Sequence, residues 1–174
     1  EDYWDSLTNN EMMTVDQRIS RLHSVIDSAK LEEDDSWLSP EIDGTFNFDS
    51  PAKIMQALEN SGSSWAMETL EVLQKRSPLM LHVSLRQIRL GRHMSLADEL
   101  RLERTLVQHC FYTHHLERSG AQTETVEGIR ALVIDKDHSP AWNPTRIQSV
   151  TSEMVDPFFV SPWAETDHPL ADLN

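Results

Sequence analysis

The stretch Ser77-Pro78-Leu79-Met80-Leu81-His82-Val83-Ser84-Leu85-Arg86-Gln87-Ile88-Arg89-Leu90-Gly91 decides the fold class. It opens on a hydroxyl followed by proline, a pair suited to a helix start. The serine oxygen accepts a free N–H, and proline in the first turn has no N–H to waste. Leu79, Leu81, Val83, Leu85, Ile88 and Leu90 then supply apolar positions, and Gly91 is expected to close the helix in a left-handed cap. A helix is predicted, stopped and restarted at its ends by residue chemistry.

The same grammar holds on both sides. Upstream, Ser50-Pro51 opens a helix with Ile54, Met55 and Leu58 on its apolar face, ended by Asn60-Ser61-Gly62-Ser63-Ser64. Ser63 or Ser64 then caps a helix through Trp65, Met67, Leu70, Val72 and Leu73 to Lys75-Arg76, whose charges suit the negative helix end. Downstream, Ser95-Leu96-Ala97-Asp98 opens a long helix whose buried side reads as Leu96, Leu100, Leu102, Leu106, Val107, Cys110 and Phe111. Ser119-Gly120-Ala121-Gln122 breaks it. Thr123 or Thr125 caps the next, through Val126, Ile129, Leu132, Val133 and Ile134. A proline-bounded loop over 135–144 and a short helix over 145–156 follow, and the tail beyond Pro157 is expected to fray. Further upstream, Val15, Ile19, Leu22, Val25, Ile26 and Ala29 recur at helical spacing, and Leu31 to Pro40 reads as an acidic loop. No alternating run is long enough to predict a strand, so the class is mainly α.

Composition narrows the chemistry. Fifteen Lys and Arg against 29 Asp and Glu leave a formal charge of -14, which repels phosphate backbones and anionic lipid surfaces. No nucleic-acid or membrane partner is expected, and no apolar run is long enough to span a bilayer. The single Cys110 cannot form an internal disulfide and reads as a structural thiol in an apolar helix. The start, Glu1-Asp2-Tyr3-Trp4-Asp5, is not a targeting segment and looks like mid-protein sequence.

No glycine-rich phosphate loop, nucleophile elbow, His-Glu-x-x-His helix or paired Cys-x-x-Cys is present. His109, His114 and His115 cluster, but a spacing of five misses the one-face geometry of two helical ligands, so no metal is expected. Arg86, Arg89 and Arg92 with His93 form a basic stripe. With Lys75 and Arg76, Arg86 and Arg89 are the candidate anion-binding groups, set against simple helix-end charge pairing. Asp135, Asp137 and His138 invite an acid–base reading, yet a loop rich in Asp, Pro and Asn is more often a turn whose side chains bond the backbone. Trp142, between Pro140 and Pro144, suggests a structural lock. No cofactor is called for, and no complete catalytic site is legible.

The order of several separated stretches resembles the carboxy-terminal part of 3-hydroxyisobutyryl-CoA hydrolases, within the enoyl-CoA hydratase/isomerase or crotonase superfamily. Gly62-Ser63-Ser64-Trp65-Ala66, Lys75-Arg76-Ser77-Pro78, Val83-Ser84-Leu85-Arg86-Gln87 and Ser95-Leu96 carry it. Most specific is Glu127-Gly128-Ile129-Arg130-Ala131-Leu132-Val133-Ile134-Asp135-Lys136-Asp137, continued by Ser139-Pro140 and Trp142-Asn143-Pro144. The resemblance covers 41–156. It leaves 1–40 as a poorly matched helix with an acidic linker and 157–174 as a tail. It implies a helical carboxy-terminal region of a crotonase-like protein, lacking the β/α core, and a mitochondrial acyl-CoA thioester hydrolase of valine catabolism as parent. In that family a backbone oxyanion hole and nearby carboxylates act from the amino-terminal core. No catalytic residue carries across, so this chain alone is expected to be inactive. Its partner would be the core, and acyl-CoA substrate would be met through it, with an oligomer or larger assembly possible. A non-catalytic structural relative, such as a mitochondrial ribosome component, is the competing reading.

Overall fold

The computed structural model describes residues 14–28 and 40–173, which fall in two compact units divided after Ser39. The first unit contributes helix α1, Val15–Ser28. Its start is a reciprocal cap: Thr14 Oγ1 accepts the Gln17 N–H at 3.3 Å, and Gln17 Oε1 accepts the Thr14 N–H at 3.0 Å. Ala29, the acidic loop over 31–39 and the opening residues lie outside the described residues.

The second unit is built from α2 (Pro40–Phe46), α3 (Pro51–Ser61), α4 (Ser64–Gln74), α5 (Pro78–Gly91) and α6 (Leu96–Phe111), then α7 (Glu124–Ile129) and α8 (Ser152–Val155). Single 3-10 turns fill the connections, and no strand occurs among the described residues. The serine starts work as read. Ser50, Ser63, Ser77 and Ser95 each accept the N–H three residues on, at 3.1 to 3.3 Å. Thr123 caps α7 in the same way. Gly62 ends α3 in the left-handed region at φ 65°, where a side chain would be strained. Helix α2 begins at Pro40 of Ser39-Pro40, the same serine–proline pair, which the sequence reading places at the end of an acidic loop. It is tied on by Glu41, whose carboxylate accepts from Ser61 and Ser63 and so spans the α3–α4 junction.

Two apolar clusters hold these helices. Ile54, Leu58, Ala66 and Leu70 join α3 to α4. Leu79 and Val83 of α5, Leu106 of α6, Val155 of α8 and Phe158 form the other, with Leu102, Cys110 and Phe159 packed against it.

Five expectations are corrected. Gly91 is the last residue of α5 and keeps right-handed geometry; the cap position is Arg92, and Glu99 Cγ passes 3.5 Å from where a Gly91 Cβ would stand. On α6, Leu96 is 76% exposed and Val107 and Phe111 are also open, so the buried side is narrower and includes Thr105. The fifth sequence helix is six α-helical residues continued by a π-helical turn over Arg130–Ile134. Of its apolar run only Ala131 is buried, while Ile129, Leu132, Val133 and Ile134 are exposed. The helix expected over 145–156 is a 3-10 turn, four α-helical residues and a second 3-10 turn. The tail does not fray at once. Phe158 is 1% exposed, and Arg101 of α6 donates to the carbonyls of Leu170, Ala171 and Leu173.

Candidate functional site

The proline-bounded loop is locked onto the helices by two acids at the start of α7. Glu127 takes a two-pronged contact from Arg130, at 2.8 and 2.9 Å, and accepts the Ala141 N–H at 2.6 Å. Arg130 turns its other nitrogens to Asp135, Asp137 and the Ser139 carbonyl. Asp137 also accepts the Ser139 N–H at 2.8 Å, a local side-chain turn. Arg130 therefore holds the Glu127 and Asp137 carboxyls below their ordinary range, and these carboxylates in turn hold its guanidinium charged. Asp135, Asp137 and His138 thus do not assemble into an acid–base pair. Both acids are spent on one arginine.

Glu124, which sequence reasoning passed over, is the more deeply placed carboxylate. It is buried, accepts from the Ser77 hydroxyl and from the Asn143 N–H at 3.0 Å, and faces Arg118 at 3.8 Å. Arg118 donates to the Asn143 carbonyl as well, beside the cis Asn143–Pro144 bond. A buried charge survives only when paired and hydrogen-bonded, and all three partners are present. Its only sequence signal is an acid in the first turn of a capped helix.

Trp142 completes the lock. Its indole N–H donates to the Lys75 carbonyl at 3.0 Å, and its ring crosses Gly128 so closely that a Cβ there would lie 3.3 Å from Cη2. The loop is tied to the end of α4 and to the face of α7.

The four cationic candidates divide between two cavities. Arg86 and Arg89, with His82, line one of about 320 Å³ between α5 and the start of α8. Asp49 and Asp156 line it too. Arg86 pairs with Asp156 and lies over the Phe159 ring at 4.3 Å, while Arg89 donates to the Phe48 carbonyl. Both arginines are thus engaged within the structure. Arg92 and His93 lie beyond the helix end and do not line the cavity. Lys75 and Arg76 line a second cavity of about 170 Å³ with His138 and Trp142.

The histidines do packing work. His109 and His115 flank Phe158, with ring centroids 6.1 and 5.0 Å from it, and each Nε2–H donates to a backbone carbonyl, Val160 and Met154 respectively. Among the described residues no group of His, Cys, Asp or Glu could hold a metal. Burial pushes the Cys110 thiol up, away from the reactive thiolate, against a smaller opposing effect of the Thr125 hydroxyl. Among the described residues no helix is long and apolar enough to cross a membrane.

The helical arrangement matches part of a crotonase-type fold. The structure aligns with a carnitinyl-CoA dehydratase from Mycobacterium thermoresistibile at a TM-score of 0.67 and 22% identity, over 97% of this chain and 45% of that one. That likeness is one of fold alone. A sequence model of the enoyl-CoA hydratase/isomerase family matches residues 2–159, and the chain belongs to that family. Within it, the chain is 39% identical over 118 residues to the mitochondrial 3-hydroxyisobutyryl-CoA hydrolase of Gallus gallus, covering 68% of this chain and 28% of that protein. The Homo sapiens protein of the same name is 34% identical over 137 residues, covering 76% and 33%. A probable 3-hydroxyisobutyryl-CoA hydrolase 2 of Arabidopsis thaliana is 37% identical over 122 residues, covering 68% and 31%. The chain spans about a third of the length of the curated relatives it matches. The mitochondrial label on the Gallus gallus and Homo sapiens relatives supports a mitochondrial location by family resemblance.

Proposed function

We propose that this chain is the helical carboxy-terminal segment of a 3-hydroxyisobutyryl-CoA hydrolase-like thioester hydrolase of valine catabolism. It covers the catalytic core rather than carrying the chemistry, and 41–156 is the working unit of that cover. The observation that carries the reading is the apolar run on α7 and its π-helical turn. Ile129, Leu132, Val133 and Ile134 are 41 to 68% exposed, inside the stretch most like the named hydrolases. Four apolar side chains left open within six residues of an otherwise locked element call for another surface to cover them. An amino-terminal core would be that surface, and would supply the oxyanion hole and carboxylates that thioester hydrolysis needs.

Hydrogen exchange and a thioesterase assay test this together. In the full-length protein the amides of 129–134 should be protected, and 3-hydroxyisobutyryl-CoA should be hydrolysed. The isolated 174-residue chain should exchange quickly there and release no CoA. Hydrolysis by the isolated chain would place the chemistry in these helices and sink the proposal. Protection without hydrolysis in the full-length protein would favour a structural relative instead.

A further inference from the structure

The cavity at the end of α4 has a character that the locked loop beside it does not explain. Its basic side chains come from two distant segments: Lys75 and Arg76 follow α4, and His138 follows the π-helical turn. Its walls are Val72, Leu132, Pro140 and the Trp142 ring, and among the described residues no carboxylate lines it, although Asp137 lies near enough to His138 to interact with it electrostatically. In a chain with 29 acidic side chains, that exclusion is informative. The larger cavity beside Arg86 shows the alternative, with an aspartate set against each side of its arginines. Lys75 is paired outward to Glu71, but the Arg76 side chain makes no hydrogen bond, ion pair or ring contact among the described residues.

The backbone under these groups is held in place. The Trp142 indole bonds the Lys75 carbonyl, and the Arg76 N–H bonds Leu73 at 3.0 Å. His138 sits at φ 54°, a left-handed conformation that histidine adopts more readily than most side-chain-bearing residues, and its N–H is tied to the Ala131 carbonyl. Attraction to the helix dipole accounts for Lys75 and Arg76 but not for His138, nor for the acid-free walls.

We infer that this cavity is a subsite for a small oxyanion, a carboxylate or a phosphate, carried on an apolar or flat body. The Arg76 guanidinium would take the oxyanion as a fork. His138 would add a ring N–H, and the Trp142 ring would form the wall for the attached body. The inference does not rest on the hydrolase reading, because it needs only the charge and shape of this cavity.

Calorimetric titration of the full-length protein with benzoate, and separately with inorganic phosphate, tests it. Saturable binding of either is expected, and which one binds distinguishes the two sources of the oxyanion. Arg76→Gln should weaken that binding about tenfold, the scale of one charge-assisted contact. His138→Asn, which tolerates the same backbone conformation, should weaken it less. Arg92→Gln, an exposed charge away from the cavity, should leave it unchanged. No saturable heat with either probe overturns the inference, as does equal weakening by Arg76→Gln and Arg92→Gln, or binding indifferent to Arg76.

Discussion

Trp142 and Gly128 are matched surfaces: the indole crowds the position that a Cβ at 128 would take, leaving it only 3.3 Å from Cη2. Glycine within a helix costs about 1 kcal/mol relative to alanine, so Gly128→Ala would ordinarily stabilise α7. Here the ring cannot easily retreat, because its N–H is bonded to Lys75 and prolines flank its loop. Gly128→Ala should therefore lower the thermal midpoint. In a Trp142→Ala background the sign should reverse, with alanine at 128 gaining up to about 1 kcal/mol. Trp142→Ala alone should destabilise by about 2 kcal/mol through lost packing and one lost hydrogen bond. A double-mutant cycle by urea unfolding reads the coupling, and additive effects would show that ring and glycine do not depend on each other.

Glu124 should be the most sensitive carboxylate. Glu124→Ala leaves the Arg118 guanidinium, the Ser77 hydroxyl and the Asn143 N–H without their shared acceptor in a buried place. Breaking one side of a buried pair costs about 3 to 5 kcal/mol, and a loss near the lower figure is expected because Arg118 keeps its bond to the Asn143 carbonyl. Glu124→Gln keeps an acceptor and should lose less. Equilibrium unfolding of the two variants measures both, and equal losses would mean that charge, not hydrogen bonding, holds the site.

Much of the helical framework was legible because its signals are local. A serine followed by proline, or a serine three residues ahead of a free N–H, carries its own physics, so the starts at Ser50, Ser63, Ser77 and Ser95 could be read directly. What could not be read depended on distant partners. Ser77 meets Glu124 across 47 positions, and Arg86 meets Asp156 across 70. The anion candidates consequently looked like one basic set, whereas folding sends Lys75 and Arg76 to one cavity and Arg86 and Arg89 to another. The run from Ile129 to Ile134 shows the same limit. Apolar periodicity predicts burial but not what does the burying, and among the described residues only Ala131 of that run is buried.

Two histidines should make stability pH-dependent. Burial depresses the affinity of His82 and His115 for a proton below that of an ordinary imidazole, although carbonyl acceptors at Ile147 and Met154 partly oppose it. The unfolded chain then binds protons first as pH falls, which pulls the equilibrium toward unfolding. Their contribution should be complete above about pH 6.5 and decline as pH falls below it. The carboxylates at Glu127 and Asp137 are lowered and act in a separate, more acidic window. Urea midpoints at pH 7.5 and 5.5 test this. His115→Gln, which can still donate to Met154, should reduce the difference between the two pH values. An unchanged difference would remove His115 from the effect.

Arg101 provides the last test, on the tail that was expected to fray. Its guanidinium reaches the carbonyls of Leu170, Ala171 and Leu173 while one nitrogen holds Asp98 at 2.9 Å. Nearby, Arg104 lies 4.8 Å from the Trp163 ring centroid, and Trp163 meets His168 edge to face. Arg101→Lys offers a point charge where several carbonyls need a planar fork, so it should not restore the clasp. Both Arg101→Lys and Arg101→Ala should speed amide exchange over 168–173, with a stability loss of about 1 to 2 kcal/mol. Phe158→Ala should differ in kind. That ring is 1% exposed between Leu79, Val83 and Leu106, so its loss should cost about 3 to 5 kcal/mol and affect the whole unit rather than the tail alone. If Arg101→Ala instead unfolded the unit as broadly as Phe158→Ala, the tail would be part of the core rather than a strap laid over it.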